Sequence, residues 1–511
     1  MGGVTRNKVA RVLSGALTGF DGALIEVETD MKIGLPGVQI VGMGNKAIDE
    51  ARQRVRSAIT NSLLDFPPQK ITINLAPAEL PKDGTHLDLP IALSILVASG
   101  QLRQTEVNGA LFAGELALTG VIRPIRGAVL LAELARMNGA TRLFLPAHNA
   151  PQAKLVTGIE VIGITDLQGL YKYLKGAVSS LATPSPPKND TQTAIATTTP
   201  LPSFDDIVGH AQAKRALTIA VAGRHNLLLS GSPGAGKTLL AKSAAYITPP
   251  LTDSEVIEVT KLHSLTSGDN GIVYRSPPFQ SPHHSVTVPA FIGGGLRLRP
   301  GELSLAHKGV LFLDELPEYP RAVLEALRQP LEDRTVRLAR LYEHVTYPAD
   351  VLLIATMNPC SCGYLGDATV SCKCSPAQIG AYQKRISGPL LDRLDLRVHV
   401  SKIKHEHFFS AKTLLQKQHF KVLSLISNAR EMQKQRYKCS DRYNAYASIN
   451  EAKRLFLVAP EAKKLLDSAA TKLALTSRGY IRALRVARTI ADLEKSVALE
   501  ATHIAEALQY R

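Results

Sequence analysis

Eight consecutive residues, Gly231-Ser232-Pro233-Gly234-Ala235-Gly236-Lys237-Thr238, fit the pattern G-x-x-x-x-G-K-[ST] without a gap. Glycines let backbone N–H groups turn toward phosphate oxygens, and a helix starting at the end of the loop adds the positive end of its dipole. Lys237 would reach the β- and γ-phosphates of ATP, and Thr238 would ligate Mg2+. Further along, Gly309-Val310-Leu311-Phe312-Leu313-Asp314-Glu315 reads as a buried strand that ends in two carboxylates. Asp314 would hold the Mg2+ through water, and Glu315 would polarise the water that attacks the γ-phosphate. A third apolar run, Val351-Leu352-Leu353-Ile354-Ala355-Thr356-Met357, ends in Asn358, where a sensor of the γ-phosphate would sit; a turn-forming Asn before Pro359 is the alternative. In Ser387-Gly388-Pro389-Leu390-Leu391-Asp392-Arg393-Leu394-Asp395, Arg393 is the candidate for an arginine supplied to a neighbouring subunit, with Arg385 second. The competing reading of Arg393 is a surface ion pair with Asp392 or Asp395.

Four of the five cysteines crowd into fifteen positions, as Cys360-x-Cys362 and Cys372-x-Cys374 around a loop containing Gly363, Tyr364, Leu365 and Gly366. Four thiolates can close a tetrahedral zinc shell, and disulfides are disfavoured in the cytosol. Structural Zn2+, pinning the loop that follows Asn358, is the expectation.

These residues need elements to hold them. The phosphate loop follows a short strand, Asn226-Leu227-Leu228-Leu229-Ser230, and precedes a helix start at Leu239. Residues 204–400 alternate strand and helix, and from about 401 to 511 the pattern is helical. A Ser/Thr/Pro-rich stretch at 176–203 cannot bury enough apolar surface to order itself and reads as a linker. Residues 1–175 also alternate, with strands at Leu24-Ile25-Glu26-Val27-Glu28 and Lys70-Ile71-Thr72-Ile73-Asn74-Leu75. A helix from Asn45 places Ile48, Ala51, Val55 and Ile59 on one side. The run from Leu89 to Ala98 is too apolar for a surface helix.

The chain has 511 residues and a net charge of +16. The excess is uneven. Residues 400–511 carry 21 Lys+Arg against 10 Asp+Glu, which suits a polyanionic partner or a solvated basic helical surface. No stretch approaches the ~18 apolar residues of a membrane helix, and the first residues lack the apolar core of a signal peptide. A cytoplasmic protein that engages no membrane is expected.

The loop, the Asp-Glu strand, the Asn strand and the Arg393 element together resemble the AAA+ ring ATPases, in the branch that holds magnesium chelatase and the MCM helicases. Within that branch the sequence is similar to the ComM/YifB family over nearly its whole length. The shared words include Asn74-Leu75-Ala76-Pro77-Ala78, Gly114-Glu115-Leu116-Ala117-Leu118, Ser304-Leu305-Ala306-His307-Lys308-Gly309, Asn358-Pro359-Cys360 and Arg478-Gly479-Tyr480. One departure is Pro278-Phe279-Gln280 before Pro282-His283-His284, where the family usually has Arg-Pro-Phe-Arg. The resemblance implies an ATP-hydrolysing DNA helicase. It implies a homohexameric ring on single-stranded and branched DNA, promoting branch migration in natural transformation and homologous recombination. It also implies an insertion within about 266–300 and a hairpin over 333–340, both facing the ring channel. Arg297, Arg299, Arg337 and Arg340 are then candidate phosphate contacts. Alternate strand residues share a face, so Arg334 and Arg340 need not side with Arg337. In the basic helical lid, Arg478 aligns with the second sensor and Arg482 lies one turn further on.

Residues 1–175 resemble the Lon protease domain, an α/β fold of the ribosomal S5 domain 2 type. Here Pro81-Lys82-Asp83-Gly84 leads to Thr85-His86, so His86 stands at the Ser position. Pro124-Ile125-Arg126-Gly127 leads to Val129 at the Lys position. Val is no base and no Ser is left to activate, so proteolysis is rejected. Arg52, Arg54 and Arg56 are expected on an exposed helix face or against nucleic acid. Two other functions compete with the motor. One is the ATPase subunit of a metal-chelatase complex, whose larger partner would carry an Asp-x-Ser-x-Ser motif that this chain lacks. The other is a DNA-binding scaffold with little turnover, against which Lys237, Asp314 and Glu315 argue.

Overall fold

A computed structural model describes residues 9–42, 46–80, 82, 84–178, 180–181, 203–266, 271–295, 298–340, 343–367, 369–403 and 418–511. Most of the expected linker, Arg297 and the expected cap Asn45 lie outside the described residues. The chain divides into two compact units, each built on an α/β core.

The first unit is carried by a seven-stranded sheet. In spatial order its strands are Gly37–Val41, Lys70–Ala76, Asp21–Lys32, Ala10–Thr18, Ala110–Phe112, Arg142–Pro146 and Glu160–Ile164. The long Ala10–Thr18 and Asp21–Lys32 pair is antiparallel, and the strands from Ala110 onward run parallel beside it. Val12, Ile25, Val27, Ile71 and Ile73 form one face, on which Lys46–Asn61 and Asp88–Ala98 pack. Asp88–Ala98 is buried from Asp88 through Leu96, because it lies between the sheet and the first helix. On a second apolar cluster, Val129, Leu131 and Ala132 of the helix Ala128–Met137 pack with Ile257. Residues Asp253–Tyr274, counted with the ATPase stretch on sequence, join this unit, as do Ala339–Thr346. The physical reason is local. Ile257 adds to the apolar cluster, Lys261 Nζ meets Glu133 Oε2 at 2.7 Å, and Gln152 Nε2 donates to the carbonyl of Ile272 at 3.0 Å.

Val129 is fully buried in that cluster. His86 is buried with Nε2 2.7 Å from the carbonyl oxygen of Gly15. Neither residue can reach a peptide substrate. Arg54 departs from the expected exposed face, because it is folded onto Asp88 through Nε–Oδ2 at 2.7 Å and Nη2–Oδ1 at 2.9 Å. Arg56 lies over the ring of Phe66.

The second unit holds a parallel five-stranded sheet. Its spatial order is Phe279–Gln280, Val310–Leu313, Leu352–Met357, Leu227–Ser230 and Leu396–His399. The first strand in the chain thus lies between the last two, so the loop that leaves it opens at a topological switch point where ligands bind such sheets. Helices Ala211–Gly223 and Lys237–Ile247 cover the strands. Gln418–Tyr437, Pro460–Lys472, Ser477–Leu493 and Ala501–Gln509 extend the same apolar core. Arg215 ties core to lid through Glu494 and Glu506, each at 2.9 Å. Thr335–Arg340 and Glu343–Pro348 form a two-stranded hairpin, of which Ala339–Thr346 count with the first unit. No helix among the described residues is long and apolar enough to cross a membrane.

Candidate nucleotide site and four-thiol cluster

Strand Leu227–Ser230 delivers the chain into the loop 231–238, and the helix Lys237–Ile247 leaves it. Gly236 sits at φ +83°, a left-handed turn that aims the following N–H groups inward. Lys237 Nζ donates to the carbonyls of Gly231 (2.6 Å) and Ser232 (3.0 Å) and to Asn358 Oδ1 (3.0 Å). Burial lowers its pKa, while Asp314 and Glu315 pull it back up. Thr238 Oγ1 donates to Asp314 Oδ2 at 3.1 Å, so the two expected Mg2+-holding groups are already adjacent. Glu315 is exposed just beyond the strand, at φ +53°, with its backbone N–H donating to Thr356 Oγ1 at 3.0 Å. That strained residue is fixed from the neighbouring strand, and its carboxylate is left open to water. Lys237, Thr238, Asp314, Glu315 and Asn358 therefore converge. The donor set fits a triphosphate with a hard divalent cation, which takes carboxylate and hydroxyl oxygens.

Arg393 and Arg478 are not part of this convergence. Both line a cavity of about 360 Å3 together with Arg224, Asn226, Glu332 and Arg482. Asn226 opens the strand Leu227–Ser230, whose other end carries the phosphate loop. Val351, also lining the cavity, precedes the strand whose far end carries Asn358. Four extended residues span about 13 Å, so the arginine cavity and the phosphate loop lie at opposite ends of the same strands. Arg393 pairs with Glu332 rather than with Asp392 or Asp395, and Glu332 also holds Arg478 at 3.3 Å. Arg482 donates to the carbonyl of Leu394 at 3.1 Å, and Arg385 pairs with Glu318 at 3.0 Å.

Of the candidate phosphate contacts, Arg337 and Arg340 are exposed on the hairpin strand and Arg299 is half-buried. Arg334 caps the strand with its guanidinium 3.9 Å from the ring centre of Tyr446.

The four thiols lie with all sulfurs within 4.8 Å of one another. Cys360 Sγ is 3.4 Å from Cys362 Sγ and 3.7 Å from Cys372 Sγ, and the last two are 3.6 Å apart. Zinc–sulfur bonds of about 2.3 Å set tetrahedral edges near 3.8 Å, so the donor set and its spacing fit Zn2+. Backbone N–H groups of Tyr364 and then Lys373 draw the Cys362 thiol down, while burial and the neighbouring thiols push Cys372 up, so the four titrate as one group whose protons a metal would displace.

Four residues at this site carry no signature in the sequence. Thr356 supports Glu315 and bonds Asp314, and Asp367 accepts from Ser232. His210 Nε2 lies 3.4 Å from where a Cβ on Gly236 would stand, which puts its ring beside the phosphate loop. Glu332 joins the two arginines. Each contact spans a separation at which no local pattern exists.

Comparison with known families agrees over nearly the whole chain. The model described as "Magnesium chelatase, subunit ChlI" matches residues 203–408, that of its C-terminal part matches 418–511, and "Subunit ChlI of Mg-chelatase" matches 27–149. Competence protein ComM of Haemophilus influenzae is 40% identical over 98% of this chain and 97% of its own length. The uncharacterised protein YifB of Escherichia coli is 38% identical over 97% and 96%. A Lon protease of Mycolicibacterium smegmatis is 26% identical over 32% of this chain and 22% of its own.

Proposed function

Because this chain belongs to the family of ComM and YifB, magnesium chelatase-like AAA+ ATPases, we propose that it is an ATP-driven DNA translocase. It works as a homohexameric ring in the cytoplasm and moves branch points during natural transformation and homologous recombination. Its family is one of ATP hydrolases that use Mg2+.

The observation that carries the ring is the separation of the two half-sites. Lys237, Thr238, Asp314, Glu315 and Asn358 stand at one end of the parallel strands, and Arg393 and Arg478 at the other. Within one chain, Arg393 and Arg478 stand away from that chain's own phosphate loop. Two copies packed head to tail would bring one chain's arginines to the other's phosphate loop, and such heterologous contacts make a ring where their rotation closes. In that arrangement Glu315 accepts the proton of the attacking water. The water oxygen bonds to the γ-phosphorus, the bond to the β-bridging oxygen breaks, and ADP and phosphate leave. Thr238 and Asp314 would hold Mg2+, which would neutralise charge on the nucleotide's phosphates. Lys237 and the partner's arginines stabilise the charge that develops on the transferred group. Cys360, Cys362, Cys372 and Cys374 would hold a structural Zn2+.

DNA is supported by three things. The relative at 40% identity is named a competence protein, residues 400–511 carry most of the net positive charge, and Arg337 and Arg340 stand exposed on a hairpin. Phosphate contacts of this kind bind without reading sequence.

A second reading, the ATPase subunit of a metal chelatase, is favoured by the descriptions of the matching family models. A labelled four-way junction and a forked duplex separate the two. The translocase displaces strands with ATP and Mg2+, and Glu315→Gln does not. A chain that hydrolyses ATP yet displaces no strand from either substrate fits the chelatase reading instead.

A further inference from the structure

Between the two cysteine pairs lies a carboxylate that no catalytic step uses. Asp367 has a side chain only 3% exposed, in a loop otherwise poor in buried residues. Its Oδ1 accepts from the backbone N–H of Thr369 (2.8 Å), the hydroxyl of Thr369 (2.7 Å) and the backbone N–H of Val370 (3.1 Å). Its Oδ2 meets Lys402 Nζ at 2.9 Å. The same carboxylate accepts from the hydroxyl of Ser232, inside the phosphate loop. These donors hold its pKa well below the usual carboxylate range, the Ser232 hydroxyl foremost. Beside it, Gly363 sits at φ +86°, where a Cβ would stand 2.7 Å from the Pro233 ring. The cysteine loop is thus laid directly on the phosphate loop at two successive residues, Ser232 and Pro233.

A carboxylate withdrawn from water is stable only while its hydrogen-bond donors stay in place. Asp367 is therefore held only if the loop residues around it, 363–367 and 369–370, keep their shape. With so few apolar contacts, that shape depends on the four thiols that bracket it.

We propose that Asp367 is a positioning residue for the nucleotide, holding Ser232 so that the phosphate loop is preformed, and that metal at the four thiols sets nucleotide affinity through this contact. The inference rests on the reading of 231–238 as the ATP site and of the cysteines as a zinc site. It adds a coupling between them. A charge-assisted hydrogen bond of this kind is worth about a tenfold change in affinity.

The test is a fluorescence titration of the full chain with a fluorescent ATP analogue and Mg2+, with metal content measured on the same samples. Asp367→Ala should weaken binding about tenfold while keeping its zinc. Ser232→Ala, which leaves the cysteine loop's own bonds intact, should weaken it in the same direction. The double variant should lose no more than Asp367→Ala alone. Removing zinc from the unmodified chain with a thiol-selective chelator should weaken binding by a similar factor, and chelation should add little in Asp367→Ala. Unchanged affinity in both single variants overturns the positioning role. A chelation effect that persists in full in Asp367→Ala, or a chain without stoichiometric metal, overturns the coupling. Lys237→Ala is titrated alongside. If the unmodified chain binds no analogue, or binds it as Lys237→Ala does, the nucleotide site itself is refuted. If only Lys237→Ala loses binding, the site stands and Asp367 is excluded.

Discussion

Lys237 Nζ and Asn358 Oδ1 are 3.0 Å apart, although 121 positions separate them in the chain. The ammonium belongs to the phosphate loop, and the amide closes the neighbouring parallel strand. If the loop holds ATP as proposed, the amide stands beside the lysine that would meet the terminal phosphate. Lys237→Ala should weaken ATP binding by about 100-fold or more, since a charged phosphate partner is lost. Asn358→Ala should leave binding within a few-fold and lower kcat by about 100-fold, since an amide that orients the reaction acts mainly in the transition state. Equilibrium titration beside steady-state turnover separates the two. A purely structural Asn358 would instead weaken binding and turnover together.

Glu315 is open to water and fixed through its backbone by Thr356. Glu315→Gln keeps the shape and removes the base. ATP affinity should be unchanged, and turnover should fall by about 100- to 10,000-fold. Thr356→Val should cut turnover less, by loosening both Glu315 and Asp314. Unimpaired hydrolysis by Glu315→Gln would move the base elsewhere.

These contacts mark what the sequence could and could not disclose. The phosphate loop is contiguous, and the strand, loop and helix around it follow from local pattern. The Asp-Glu and Asn strand ends are read the same way, because a buried parallel strand is a short apolar run. Local pattern cannot pair residues across the sheet, so Thr356, Glu332 and Asp367 stayed invisible. It also misjudged Arg54. On a helix with alternating arginines that residue looks solvent-facing, yet its partner Asp88 arrives from 34 positions away. The segment Asp253–Tyr274 follows the phosphate loop in the chain but packs with the first unit. Nothing in its own periodicity names the surface it covers.

Arg393 and Arg478 lie at the opposite strand ends from Lys237, held together by Glu332. Acting on a neighbour's nucleotide, Arg393→Ala should lower kcat about 1,000-fold with ATP affinity preserved. Mixing the inactive Arg393→Ala and Lys237→Ala chains should restore part of the turnover, because some interfaces then pair an intact loop with an intact arginine. Failure of every mixing ratio to recover activity would count against catalysis between subunits.

The spacing of the four thiols suits one Zn2+ per chain. Metal analysis of protein purified without chelator should find about one equivalent. Cys360 is the one buried thiol of the four. Cys360→Ser should lose the ion and lower Tm, whereas Cys439→Ser, at an exposed cysteine outside the cluster, should do neither.

Burial pushes Asp88 up to about 6 despite its bonds to Arg54. Its folded pKa is above the unfolded value, so the proton it binds stabilises the fold fully below about 4. That contribution is lost as pH rises through 6. Arg54→Ala leaves the carboxylate without its cation and should cost about 3 kcal/mol at pH 7, with much of the loss recovered at pH 5. Thermal melts of the full chain at the two pH values check this, and a loss independent of pH would refute it.

The most direct test of the account is ATP turnover by the intact protein with no DNA and with single-stranded, duplex and four-way DNA, beside Glu315→Gln. The account predicts that DNA raises kcat several-fold, most with single strands or junctions, that the effect weakens as salt rises, and that Glu315→Gln abolishes it. Turnover that is unchanged by every DNA at low salt would contradict a DNA translocase.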